Sequence, residues 1–352
     1  MQFTVSQCPI CAAPVAPNNR ICDYCNSILI PLSNEHLPQF NKLDINQKIS
    51  EIREKLKKDP DDAFLHYSLG IAYANKGIRE NAITEFKKSI ASEPEHAIVH
   101  YNLGIALFDD GNVLLNSNEY ADALKEMDSA LVNDKAFKEA AAFRSFFLAR
   151  KLETVDPNQA IDEYGKAIQL CPDIGTFWNN AGLLFLNMNK MDKAIEFFKK
   201  AVEISDSFMC LNNLCLAYYK TGQFVLGVEV GQKAISKITT TTINAGCGYS
   251  NLAICFLETK KLPEALETIN KALAMEPNNS IFLQNKKTIL DRQNLHNFLF
   301  LLKILLGFGF ICYLWLSHHI VYAILVVFAI YVFKLGLNRF PKASNQQEQQ
   351  KD

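Results

Sequence analysis

At 352 residues the chain exceeds one ordinary domain, and a composition that is 49% hydrophobic and 21% charged excludes a disordered polymer. Its 36 Lys and Arg against 37 Asp and Glu leave a formal net charge of −1, so no global field concentrates nucleic acid or anionic lipid, and such contacts would need a local patch. Of ten cysteines, four form two tight pairs near the start and six (Cys171, Cys210, Cys215, Cys247, Cys255, Cys312) are scattered among apolar segments, with no signal-peptide pattern over Met1 to Ile10. That distribution suits a reducing compartment, where lone cysteines behave as small buried hydrophobes.

The first element covers residues 1–32. Cys8 and Cys11 are followed by Cys22 and Cys25, which reads C-x2-C-x10-C-x2-C. Each C-x-x-C turn points two thiolates at a common centre, and a connection of this length lets a short hairpin bring the turns to Zn–S distances of about 2.3 Å. The segment resembles a zinc ribbon, and the resemblance implies one structural Zn2+ held by the four cysteines. Ribbon knuckles usually carry Gly after the second cysteine, where Ala12 and Asn26 stand here. A redox dithiol is the weaker reading, because the surrounding βαβ pattern is absent. Arg20 is the one Lys or Arg in residues 1–40, against Asp23 and Glu35, and four thiolates add negative charge, so phosphate contact is disfavoured.

Residues 33–60 read as a linker containing Pro38 and an amphipathic helix, in which Ile45, Ile49, Ile52 and Leu56 recur at helical spacing behind Asp44 as N-cap. Residues 61–279 are repetitive. Leu69-Gly70-x-x-Tyr73 returns 34 residues later as Leu103-Gly104-x-x-Leu107, and each is followed by a second helical signature, as in Ala82, Ile83, Phe86 and Ser89 before Pro94. These helix–turn–helix units resemble tetratricopeptide repeats. Trp178, Ala181, Gly182, Phe185, Ala194, Phe198 and Ala201 form one well-matched unit. The next contains Leu214, Cys215, Tyr218, Gly222 and Ala234, and the last Leu252, Ala253, Phe256, Ala265, Ile269 and Ala272. About six units are expected, stacked as a mainly α solenoid because none can bury its apolar face alone. The second carries an enlarged turn over Asn112 to Asn118, and the third has a poor first helix, with Arg144, Phe146, Phe147 and Leu148 where the motif should lie.

The resemblance also implies a groove lined by the first helices, where an asparagine two residues before the Gly often faces a peptide backbone. Asn102, Asn180, Asn213 and Asn251 occupy that place, and Tyr67, Tyr101, Phe108, Asn179, Asn212 and Tyr219 are expected beside them. The alternative for these amides is hydrogen bonding within or between repeats. The Lys and Arg set with which chaperone-binding relatives clamp a C-terminal carboxylate is replaced by Tyr67, Ile71, Tyr101 and Ile105.

After the repeats, residues 280–297 read as a polar capping helix. From Ile304 to Phe333 there are 30 residues without Asp, Glu, Lys or Arg, which as one helix would be about 45 Å long against a hydrocarbon core of about 30 Å. Ser317, His318 and His319 interrupt the run, so residues 298–337 are expected as a transmembrane hairpin, Phe298–Leu316 and Ile320–Leu337, embedded in the lipid bilayer. Lys286, Lys287 and Arg292 before it and Lys334, Arg339 and Lys342 after it place both termini in the cytoplasm by the positive-inside rule. The Gln-rich tail, 338–352, reads as disordered.

The expected function is a non-enzymatic, membrane-anchored scaffold whose groove takes an extended peptide or protein partner. The alternative is a membrane-tethered zinc-ribbon regulator contacting nucleic acid. No phosphate loop, nucleophile elbow or H-E-x-x-H motif is present. His66, His96 and His100 fall on repeat helices and read as packing or groove residues rather than bases.

Overall fold

The computed structural model describes residues 42–108, 117–239 and 244–337, and among these every regular element is a helix. The expected zinc ribbon, the linker up to residue 41, most of the enlarged turn, three of the four threonines at 239–242 and the tail beyond 337 therefore lie outside the described residues.

Helix α1 (Lys42–Leu56) turns Ile45, Ile49 and Ile52 inward, each 6% exposed. It begins at Lys42, so Asp44, expected as the N-cap, lies inside its first turn. Six helical pairs follow in chain order. They are α2 (Ala63–Asn75) with α3 (Arg79–Ser92), α4 (Ala97–Leu107) with α5 (Ser117–Asn133), and α6 (Lys138–Leu152) with α7 (Pro157–Leu170). Then come α8 (Gly175–Asn187) with α9 (Met191–Ile204), α10 (Phe208–Lys220) with α11 (Phe224–Ser236), and α12 (Ala245–Glu258) with α13 (Leu262–Met275). Each pair packs mainly within itself and against its chain neighbours, which makes a helical solenoid. A continuous core runs from Ile45 in α1 to Leu184 in α8, and smaller clusters carry it onward.

Local chemistry sets the boundaries. Asp62 and Asp156 cap α2 and α7 by accepting from backbone N–H groups, and Pro157 supplies a pre-set φ in the first turn. The turn between paired helices requires one left-handed residue, seven positions beyond the small residue of the first helix. Gly77 (φ 79°), Asn189 (φ 59°), Gly222 (φ 74°) and Lys260 (φ 62°) fill that slot in four pairs.

Within a pair the small residue admits a large one from the second helix. A Cβ on Gly70 would lie 2.5 Å from the Phe86 ring, and one on Gly182 would lie 2.7 Å from Phe198. The relation reverses in the fifth pair, where Gly231 of α11 makes room for the Cys215 thiol of α10, and Gly227 likewise admits the Cys255 thiol from α12 of the following pair. The third pair abandons the rule. Phe147 stands where the other pairs have Gly, Cys215 or Ala253, and it stacks on Phe108 with ring centroids 4.3 Å apart, while Phe146 packs on Tyr164 and Phe177. The sequence pattern predicted a poor first helix there. Instead α6 is regular, because aromatic stacking supplies the burial that close helix approach supplies elsewhere.

The chain divides after Phe282 into two compact units. Helix α14 (Ser280–Leu337) contains 58 residues and supplies the described part of the second unit. The two expected membrane helices, and the capping helix before them, are one element. Ser317, His318 and His319 do not break it, since none removes a backbone donor or requires a left-handed φ, and Ser317 Oγ donates back to the Leu314 carbonyl at 2.9 Å. Within it Ser280–Tyr331 is long and apolar enough to cross a membrane, and its most apolar window is unburied.

Candidate protein-interaction surface

The first helices α2, α4, α6, α8, α10 and α12 carry the residues that the repeat pattern assigns to a groove. The asparagines are tied chiefly to neighbouring repeats. Asn213 Nδ2 donates to Asn179 Oδ1 at 2.9 Å, and Asn251 Nδ2 donates to Asn212 Oδ1 at 2.9 Å. Asn102 Nδ2 donates to the Ile98 carbonyl at 2.9 Å and reaches the Tyr67 hydroxyl at 3.3 Å. Three of the four share one register, in which the asparagine of one repeat meets the residue just before the equivalent position in the preceding repeat. Asn180 departs from it and donates within its own helix to the Thr176 carbonyl at 2.9 Å, where the preceding repeat offers Arg144, engaged with Asp128.

Burial sorts these residues. Tyr67, Tyr101, Asn102, Asn179, Asn180 and Asn213 are buried, with Asn102 and Tyr101 at 0% exposure. Tyr101 packs against Phe137 and Phe143 in the core. Phe108 is half-buried in the aromatic stack of the third pair. Asn212 and Asn251 are half-buried and Tyr219 is 36% exposed, with Met209 at 39% on the same face of α10. Apart from the half-buried Phe108, the accessible part of the expected set falls in the last two repeats. Between Asn212 and Asn251 the bond uses the acceptor of one and the donor of the other, so the pair offers outward a donor on Asn212 and an acceptor on Asn251.

His66 and His100 are packing residues, as their helical placement suggested, whereas His96, also expected on a helix, is the residue just before α4; the sequence did not reveal their partners. His66 Nδ1 lies 2.6 Å from Glu85 Oε2, and its Nε2 lies 2.8 Å from the Pro60 carbonyl. His100 repeats this with Glu126 at 2.6 Å and the Pro94 carbonyl at 2.9 Å. Trp178 occupies the same slot in the fourth pair and donates Nε1–H to the Pro172 carbonyl at 2.9 Å. The signal was present as a proline six residues before each ring. Burial of His100 opposes its charged form, but the Glu126 hydrogen bond, with the Pro94 carbonyl and the Glu126 charge, outweighs it and raises the pKa. His96 pairs with Glu93 at 2.6 Å in the adjoining turn.

No activated thiol appears at these positions. The Cys215 pKa is raised well above its ordinary value by its contact with Cys255, 3.9 Å away, and by burial. Burial and the nearby Glu276 likewise raise Cys247. Both remain protonated and weakly nucleophilic. Among the described residues no group of three or more His, Cys, Asp or Glu is placed to hold a metal ion, and Cys8, Cys11, Cys22 and Cys25 lie outside them.

Residues 67–114 and 175–208 match the tetratricopeptide repeat family. The anaphase-promoting complex subunit CDC16 of Saccharomyces cerevisiae is 24% identical over 204 residues, covering 47% of this chain and 24% of its own length. The human protein O-mannosyl-transferase TMTC3 is 23% identical over 246 residues, covering 67% of this chain and 26% of its own. The chain thus spans about a quarter of the length of these curated relatives. Among solved structures, the APC/C hetero-tetramer Cut9–Hcn1 superposes with a TM-score of 0.56 at 17% identity, over 70% of this chain and 46% of that one, a likeness in fold. The chain carries tetratricopeptide repeats, and its repeat unit is an all-helical solenoid of that type. Such repeats mediate protein–protein interaction and scaffolding.

Proposed function

We propose that this protein is a membrane-anchored scaffold that holds a protein partner, in extended form, along the first helices of its last two repeats. The observation that carries the reading is the half-exposed Asn212–Asn251 pair beside Met209 and Tyr219. A donor and an acceptor one repeat apart suit a peptide backbone, and the adjacent apolar surface gives side chains somewhere to bury. The buried amides further up the solenoid set the spacing between repeats instead of meeting the ligand.

The anchor in this reading is α14. Its apolar stretch from Phe298 to Tyr331 is 34 residues, about 51 Å of helix, against a hydrocarbon core of about 30 Å. Tilting or emergence from the bilayer accommodates the excess. An unbroken helix that crosses once puts its ends on opposite sides, so the placement of both termini in the cytoplasm does not follow from it. Lys286, Lys287 and Arg292 favour the cytoplasmic side for the repeats. Cys8, Cys11, Cys22 and Cys25 would hold a structural Zn2+ that folds the N-terminal segment as a second docking module.

Photo-crosslinking in native membranes tests the groove. A crosslinker at Tyr219 should capture a discrete protein that one at Lys200, exposed on the second helix α9, does not; equal capture at both would remove the basis for this surface. Metal analysis of the full chain should find about one zinc per chain. The Cys8→Ser/Cys22→Ser variant should lose it.

A further inference from the structure

The first two repeats contain a hydrogen-bond problem that the fourth does not. A carbonyl oxygen can only accept, so the Nε2 atoms of His66 and His100, facing the Pro60 and Pro94 carbonyls, must carry hydrogen. The other ring nitrogen in each case faces a carboxylate oxygen at 2.6 Å, which also only accepts when ionised. Each site therefore closes only with one additional proton, held as imidazolium with carboxylate or as neutral imidazole with carboxylic acid. At the second site water is largely absent as a substitute partner, since the His100 side chain is 10% and that of Glu126 18% exposed, whereas the His66 site borders an open cleft. We propose that repeat two is a proton-responsive module, in which loss of the bound proton from the His100–Glu126 site loosens the pairing of α4 with α5.

The surroundings differ between the sites. Around His66, α3 contributes Glu85 and Lys88, which also pairs with Glu85, while α1 contributes Arg53, engaged with the hydroxyl of Tyr73 from α2. These residues border a cleft of about 420 Å3 that opens the site towards solvent. Around His100, α5 contributes Glu126 and the α3–α4 turn contributes the Glu93–His96 pair; Asn133 also donates to the Pro94 carbonyl at 3.2 Å. Phe143 of α6 and Phe137 just before it pack on the neighbouring Tyr101 and bring no charge there.

The direction of the response follows from linkage. The raised His100 pKa means that the folded state binds the proton more tightly than the unfolded chain. The stabilisation is complete below the free-imidazole value of about 6.5 and is lost as pH rises through the folded value. Above it the imidazole either opposes a lone pair to the carboxylate or changes tautomer and opposes one to the proline carbonyl. Repeat four shows the insensitive version, because the Trp178 indole donates to Pro172 and has no proton to lose.

Hydrogen exchange of the full chain in detergent, compared at pH 6 and pH 8.5 after correction for intrinsic rates, tests the proposal. Protection in α4 and α5 relative to α8 to α11 should fall on going to pH 8.5, by about tenfold for each unit that the folded value stands above a free imidazole. The Glu126→Gln variant should show no such fall, because a glutamine amide donates to the neutral ring. His100→Trp, which copies the fourth repeat, should also be flat and serves if the first variant does not fold. An unchanged wild-type ratio between the two pH values would overturn the proposal, as would an undiminished fall in either folded variant.

Discussion

At the scale of single residues, the same slot is filled by different chemistry from repeat to repeat, and each choice carries a measurable consequence. Gly227 leaves room for a thiol: a Cβ there would lie 2.7 Å from Cys255 Sγ. Gly227→Ala should destabilise the chain by about 1–3 kcal/mol, and adding Cys255→Ala should recover much of that, which a double-mutant cycle in denaturant would measure. Gly222 has open space where its Cβ would go but a φ of 74°, so Gly222→Ala should cost about 1 kcal/mol through the backbone alone, with no rescue by any neighbour. Lys260 occupies the equivalent left-handed slot with a side chain, and Lys260→Gly should leave stability unchanged or raise it by up to about 1 kcal/mol in the same assay. The sequence made the small residues Gly70, Gly104 and Gly182 legible, because each follows an apolar or small residue at the same place in a first-helix motif, as in Leu69-Gly70, Leu103-Gly104 and Ala181-Gly182. The His66–Glu85 and His100–Glu126 contacts were not, because Glu85 and Glu126 come from second helices separated by a turn of variable length.

At the scale of elements, periodicity located the helices wherever apolar spacing was the dominant signal. Helix α1 with its three isoleucines and the well-matched pair of α8 and α9 stand where the pattern put them. Helix α6 was obscured because Phe143, Phe146 and Phe147 replace the small-residue motif, and aromatic stacking leaves no fixed spacing to read. Helix α14 was misread in the opposite sense. Two polar histidines and a serine suggested a turn on grounds of bilayer thickness, whereas the local backbone preference is helical throughout. Spin labels at positions 300 and 330 distinguish the two arrangements in lipid. A continuous helix places them about 45 Å apart, whereas a hairpin would bring them within about 20 Å.

At the scale of the whole molecule, the repeats separate two tasks that the sequence pattern had merged. The expectation left the four asparagines open between ligand contact and hydrogen bonding among the repeats, because composition could not show that Asn102 is fully buried or that Asn213 is committed to Asn179. Among the described residues, the last two repeats keep polar and apolar groups at the surface of their first helices in Asn212, Asn251, Met209 and Tyr219. Asn212→Ala with Tyr219→Ala should therefore weaken partner capture about tenfold or more, while Asn180→Ala should act chiefly on stability, by about 1 kcal/mol in thermal unfolding. The central claim joins this surface to a membrane helix, and flotation tests both together. Full-length chain crosslinked at Tyr219 in native membranes should carry its captured protein into the light fractions of a density gradient and keep it there after alkaline carbonate washing. Release of the chain by carbonate, or a floating chain that has captured nothing at Tyr219, would contradict it.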